Sequence, residues 1–157
     1  EGCVVDDASG RIFLGEEDYA VWVVNLDLKQ QSNSKNVMQK VIAVGDHVRD
    51  DIEGLALYHG QKKSYLIISS QGNDSYVVLE ADAPYRYRGA FRIGLNIEKG
   101  IDAASETDGL EVSHHNFGGH WQKGILVVQD GHKRMPETNQ NFKIVSWEKI
   151  AKLLNLE

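Results

Sequence analysis

An acidic residue followed by glycine occurs three times in this chain, as Glu1-Gly2, Glu53-Gly54 and Asp108-Gly109, and each time it opens the same succession of segments. A short β-prone run comes first: CVV, LALY and LEV. After a turn comes a second apolar run, IFLG, YLIIS or ILVV, which ends in a polar cluster. Those clusters are Glu16-Glu17-Asp18, Gln71-Gly72-Asn73-Asp74 and Gln129-Asp130-Gly131. A third β-prone run follows each: YAVWVV, SYVVL and FKIV. A threefold repeat of this kind restricts the chain to architectures in which like units stand side by side.

Within the repeats, strands are expected near 3–6, 11–15, 19–27 and 40–44, then 55–58, 65–69, 76–80 and 87–93, then 110–113, 124–128 and 142–145. Residues 28–36 (LKQQSNSKN) read as an outer loop, and Pro84 belongs outside any ladder because it lacks an N–H. The third copy has no fourth strand. In its place WEKIAKLL, residues 147–154, carries Trp147, Ile150, Ala151 and Leu154 at the spacing of one helical face. Ser146 suits the N-cap, and Lys149 and Lys152 fall towards the exposed side.

Repeats of roughly 40 to 50 residues with four short strands each are the signature of propeller blades. The expected fold is all-β, a β-propeller piece of about three four-stranded blades of a six-bladed ring with a short C-terminal helix. The chain is one partial propeller domain, 1–157, with blade-like repeats at about 1–48, 49–100 and 101–157. Three blades leave two sheet edges and an apolar wedge open, so either an N-terminal half of the ring is missing or a second copy completes it. The chain starts at Glu1, on the motif itself and without methionine, and so reads as a processed or excised piece. The lack of a signal peptide is therefore uninformative.

An apolar content of 41% is enough for a core. No apolar run approaches the roughly 20 residues of a membrane-spanning helix. The single cysteine, Cys3, cannot form an internal disulfide and is expected to be a small buried thiol. Tyr19, Trp22 and Tyr76 lie in strands and are expected in blade cores. A formal charge of -6 argues against a nucleic-acid surface. It is compatible with an anionic ligand if the acidic residues hold divalent cations.

In a propeller the inner strand of each blade lines the central channel, so Glu1, Glu53 and Asp108 should share one ring. Glu17, Gln71 and Asp130, at the ends of the second strands, are placed to face the same mouth. Asp51 precedes Glu53 by two, which in an extended chain puts both on one face. Such a cluster needs compensation, because two unit charges about 5 Å apart repel by roughly 3 kcal/mol at an effective dielectric near 20. Raised pKa values are one release and hard cations the other. An oxygen-only donor set selects calcium or magnesium over zinc, and several mixed carboxylate and amide ligands favour calcium. The competing explanation of each acid-glycine pair is turn chemistry. His114, His115, His120 and His132 lie in a glycine-rich context without zinc-type spacing.

Taken together, EGCVVDDASGRIFLGEEDYAVW, DIEGLALY, YLIISSQGNDSYVVLE, ASETDGLEV and VVQDG followed by NQNFKIVSWEKIA resemble the β-propeller phytases, the alkaline calcium-dependent class. The resemblance covers nearly the whole chain and corresponds to the C-terminal half of that propeller. It implies calcium-dependent hydrolysis of phosphomonoesters of phytate, myo-inositol hexakisphosphate, by metal-activated water. By matching positions, Glu1, Glu17, Asp51, Glu53 and Asp108 resemble the catalytic, calcium-coordinating acids, and Gln71 resembles the substrate-side amide of the SSQGN motif. Asp102 is similar to a ligand of a structural calcium, with Asp130 close to it. Where some members carry an asparagine soon after QDG, this chain has His132-Lys133-Arg134. The resemblance also implies a secreted or periplasmic protein, with phytate or related phosphorylated inositols as partners and neither nucleic acid nor membrane among them.

The family's phosphate-binding basic residues come from the half that is absent, so the chain alone is expected to have little or no activity. Lys62, Lys63, Arg86, Arg88 and Arg92 look like outer-loop or solvated strand positions. The alternative is a non-catalytic calcium-binding propeller module for an anionic ligand or a partner protein. A lactonase-type propeller lacks the SSQGN and NQNFK matches.

Overall fold

The structure, a computed structural model, describes residues 1–26, 38–45 and 47–156. Among these residues eleven strands form three antiparallel sheets, each wound up and down in chain order. The first contains β1 (Cys3–Asp6), β2 (Arg11–Glu16), β3 (Ala20–Asn25) and β4 (Met38–Ala43). The second contains β5 (Ile52–His59), β6 (Ser64–Ser70), β7 (Ser75–Glu80) and β8 (Tyr87–Phe91). The third has three strands, β9 (Leu110–Ser113), β10 (Ile125–Asp130) and β11 (Asn141–Ser146), and the chain then enters α1 (Trp147–Leu154). The sheets stand side by side with β1, β5 and β9 as neighbouring inner strands, the arrangement of a partial propeller. The 28–36 loop expectation falls outside the described residues.

The middle sheet is apolar on both faces because a sheet covers each of them. Leu55 and Leu57 of β5, Leu66 and Ile68 of β6, and Val77 and Leu79 of β7 join Phe13, Val21 and Val23 of the first sheet. Their alternates Ala56, Tyr58, Tyr65, Ile67, Tyr76 and Val78 turn the other way, onto Val112, Leu126 and Val128 of the third sheet. The strict period of two therefore separates one apolar run into two cores.

The helix closes the second core. Trp147 stacks on Tyr58 with ring centroids 3.9 Å apart, Ile150 is buried beside it, and Ala151 and Leu154 pack at the edge. Lys149 and Lys152 are exposed, as the helical spacing predicts. Ser146 occupies the N-cap as expected, without the bond that usually goes with it. Its hydroxyl donates instead to the His120 carbonyl, at 3.0 Å.

Two core expectations are corrected. Cys3 is exposed, and Tyr19 is 51% exposed, stacked on half-buried Trp22 with the Lys40 ammonium 4.5 Å from its ring. Cys3 and Trp22 belong to the first sheet, on the face turned away from the core that it shares with the second sheet, and among the described residues no sheet covers that face. Tyr76 is in the core as expected. Phe142 and Ile144, on the outer strand of the third sheet, are exposed for the same reason as Cys3. Among the described residues no helix is long and apolar enough to cross a membrane.

Candidate metal centre

The acid-glycine pairs are not turns. A Cβ on Gly2 would lie 2.0 Å from the Glu53 carbonyl oxygen, and one on Gly54 would lie 2.8 Å from the Asp108 carbonyl oxygen and 2.9 Å from the Leu110 nitrogen. Neighbouring inner strands thus touch backbone to backbone at their heads, which only glycine permits. The consequence is positional. The acids preceding Gly2 and Gly54 are drawn against the next sheet's inner strand, so Glu1 comes to Glu53, and Glu53 to Asp108.

The turn after β2 supplies the next group. The Ile52 N–H donates to the Glu17 carbonyl at 2.9 Å, and this bond fixes the β2–β3 turn to the head of β5. Carboxylate oxygens of Glu1, Glu17 and Glu53 then lie within 4.8 Å of one another. Glu1 and Glu17 are exposed, whereas Glu53 is only 8% exposed. Burial, a hydrogen bond with Glu1 and the charges of Glu1, Asp108 and Glu17 push the Glu53 carboxyl up to about 7. Three converging carboxylates without a basic partner among them leave the ionised site short of positive charge. The all-oxygen donor set suits a hard cation such as calcium.

Asp108 is held at the rim by amides. Its Oδ1 accepts from Gln71 Nε2 at 2.7 Å, and its backbone N–H donates to Gln129 Oε1 at 2.9 Å. The preceding residue, Thr107, is buried and anchored on all sides. Its carbonyl accepts from the Ser69 hydroxyl, its own hydroxyl donates to the Gln129 carbonyl, and the Tyr76 hydroxyl, 2.6 Å away, is left as donor to Thr107 Oγ1. Burial pushes the Tyr76 hydroxyl up to about 12, which keeps that donor protonated.

Gln129 is the residue that sequence reasoning missed. Within the Gln129-Asp130 pair that ends β10, alternation sends the two side chains to opposite faces, and it is Gln129 that meets Asp108. The signal was the pair itself, read one residue out of phase. Asp51 differs for a related reason. It precedes β5 with φ of 58°, in the left-handed region, and the β5–β6 ladder shifts register between Ile52 and Leu55. Strand alternation therefore does not link Asp51 to Glu53, and Asp51 is not among the three converging carboxylates. That set includes none of the histidines.

Asp102 and Asp130 form a separate cluster. Lys143 Nζ lies 2.7 Å from Asp102 Oδ1, 2.6 Å from Asp130 Oδ2 and 2.9 Å from Asn141 Oδ1. The Lys143 ammonium and the Arg134 N–H hold the Asp102 carboxyl far below the usual carboxylate range. Burial alone would lower the Lys143 proton affinity; the two carboxylates outweigh it and raise it. Of the basic candidates, Lys63 and Arg88 both pair with Glu80, at 2.7 and 2.9 Å, and Arg92 Nε donates to the Asn73 carbonyl.

A pH dependence follows from Glu53. Its folded-state pKa, about 7, lies above the 4.5 of an unperturbed glutamate, so between those values the folded protein keeps a proton that the unfolded chain has lost. The stabilisation is fully present below about 4.5 and disappears as pH rises through about 7. Metal-free protein is expected to lose thermal stability over that window, and Glu53→Gln to remove this part of the slope. Equal slopes in melting curves of the two proteins would contradict the assignment.

The model of the phytase family matches residues 1–157. The chain is 43% identical over 157 residues to a 3-phytase from Bacillus subtilis (strain 168), an alignment that covers 98% of this chain and 40% of that protein. The chain thus spans about 40% of the length of the curated relative it matches.

Proposed function

The chain belongs to the phytase family, and we propose that it contributes the acidic, calcium-holding side of an active site that hydrolyses phosphate monoesters of phytate. The observation that carries this reading is the convergence of Glu1, Glu17 and Glu53 within 4.8 Å, with the buried Glu53 driven up to about 7 by its neighbours. Glu1, Glu17 and Glu53 would hold calcium, with Asp108 at the rim of the same ring. Calcium bound there would supply the positive charge that a polyphosphorylated substrate needs and lower the pKa of water next to the phosphorus.

The chain's own residues supply the rest of the preorganisation. Gln71 and Gln129 fix Asp108 from side chain and backbone, so its free oxygen keeps one direction without a reorganisation cost. Glycine at the strand heads removes the bulk that would separate the carboxylates. On this reading residues 1–157 form a single partial propeller domain, completed by the portion that the relative carries beyond the matched region or by a second copy. On the same reading the whole protein works outside the cytoplasm, secreted or periplasmic.

Lys63 and Arg88 are occupied by Glu80, and Arg92 by the Asn73 carbonyl. The 157-residue chain alone is therefore expected to be inactive. Phosphate release from phytate should be followed for the full-length protein and for this chain, each with calcium and with EGTA. Turnover by the full-length protein in calcium only, and none by the chain, is the expected pattern. Calcium-independent turnover would refute the metal assignment, and an active chain would refute the division of labour. Calcium binding without turnover in the full-length protein would make the chain part of a non-catalytic module.

A further inference from the structure

We propose that Lys143 is a built-in cation that takes the place of a divalent ion between Asp102 and Asp130, so that this anchor holds without calcium. All four carboxylate oxygens are already committed to N–H donors. Asp102 Oδ1 and Asp130 Oδ2 face the Lys143 ammonium at 2.7 and 2.6 Å. Asp102 Oδ2 accepts from the backbone N–H groups of Arg134 and Met135, and Asp130 Oδ1 accepts from those of Ser105 and His132, at 3.2 and 3.3 Å. The remaining oxygen of the cluster, Asn141 Oδ1, is 2.9 Å from the same ammonium.

The stoichiometry is that of lysine. An ammonium has three protons to donate, and Asp102, Asp130 and Asn141 are three acceptors. Calcium requires six to eight oxygens at roughly 2.3–2.6 Å, and here the approach is lined by the positive ends of four N–H dipoles and one ammonium. Admitting the ion would also strand a lysine whose side chain is 8% exposed. The donor set does not fit calcium, in contrast to the mouth, where carboxylate oxygens of Glu1, Glu17 and Glu53 converge within 4.8 Å.

The location gives the anchor a purpose. Asp102 lies in the connection that leads to Thr107 and Asp108, Asp130 ends β10 next to Gln129, and Lys143 comes from β11. Lys143 therefore ties the segment bearing a mouth carboxylate to the third sheet and to the loop that includes Arg134. Calcium removal would empty the mouth and leave this strut in place.

Crystals of the full-length protein soaked in terbium, in place of calcium, decide the matter by anomalous scattering. The expected map has no peak within coordination distance of Asp102 and Asp130, with the Lys143 ammonium between them. A peak there overturns the proposal, whatever the mouth shows; a mouth without a peak speaks only to the proposed function. Lys143→Met is expected to melt several degrees lower in EGTA. A variant with the wild-type melting temperature in EGTA also overturns the proposal. If the variant fails to fold, the wild-type map alone is decisive.

Discussion

Replacing Glu53 by glutamine is expected to lower phytate hydrolysis by the full-length protein about 100-fold or more, while raising the thermal stability of its metal-free form at neutral pH. The two effects have one origin. Glu53 is the buried member of the converging set, bonded to Glu1 and repelled by Glu1, Asp108 and Glu17. Glutamine keeps the size of the side chain and a hydrogen-bonding oxygen, so the close-packed strand heads need not move. It removes one negative charge from a site whose ionised form has too many. Without metal that relieves repulsion, and the folded state gains. With metal it removes an anionic ligand from a cation that needs charge compensation, and binding weakens. Initial rates across a calcium titration, with melting curves in EGTA at about pH 7.5, test both halves. A variant that loses activity but is also less stable without metal would show that Glu53 acts through packing rather than charge. One that keeps full activity would remove it from the site.

The parts of this molecule written in local pattern were legible in the sequence. Three acid-glycine pairs, the doubly apolar runs of the middle repeat and the 147–154 helical spacing predict three sheets, their strand positions and α1, because each depends on neighbours two to four residues away. The candidate site was legible to the same degree. Glu1, Glu53 and Asp108 stand at equivalent points of the repeat and Glu17 at the end of a second strand, and the carboxylates of Glu1, Glu17 and Glu53 do converge. What failed was phase and long-range pairing. Asp130 and Gln129 differ by one residue, hence by one face, and composition does not say which one meets Asp108. The alternation argument for Asp51 does not hold, because its backbone is left-handed, and its proposed place among the calcium ligands rests on the family resemblance instead. Cys3 and Tyr19 lie in β-prone segments suited to a core, and among the described residues no sheet covers them. Lys143 reads as an ordinary alternating position of β11, and only its meeting with Asp102 from another segment reveals a buried ion cluster.

The glycines make the strongest structural claim, and alanine substitution tests it. Gly54→Ala places a methyl group 2.8 Å from the Asp108 carbonyl oxygen and 2.9 Å from the Leu110 nitrogen, both backbone atoms that no rotamer change can clear. Gly2→Ala places one 2.0 Å from the Glu53 carbonyl oxygen, which is closer still. The inner strands must separate, at a cost of about 1–3 kcal/mol by analogy with overpacked cores. Separation also moves Glu1 from Glu53, or Glu53 from Asp108, and a displacement of about 1 Å in such a site costs roughly 100-fold in rate. Both variants of the full-length protein are therefore expected to melt lower and to lose most of their activity and calcium affinity. Gly94→Ala is the matched control, because no atom lies within 4 Å of its Cβ position. Gly109 is the discriminating case. Its Cβ position is equally open among the described residues, yet it is the third member of the repeat. In a closed ring the next inner strand lies against it as Asp108 and Leu110 lie against Gly54. Gly109→Ala should then resemble Gly54→Ala and not Gly94→Ala. If it instead behaves like Gly94→Ala in the full-length protein, no inner strand packs there, and the ring ends at the third sheet.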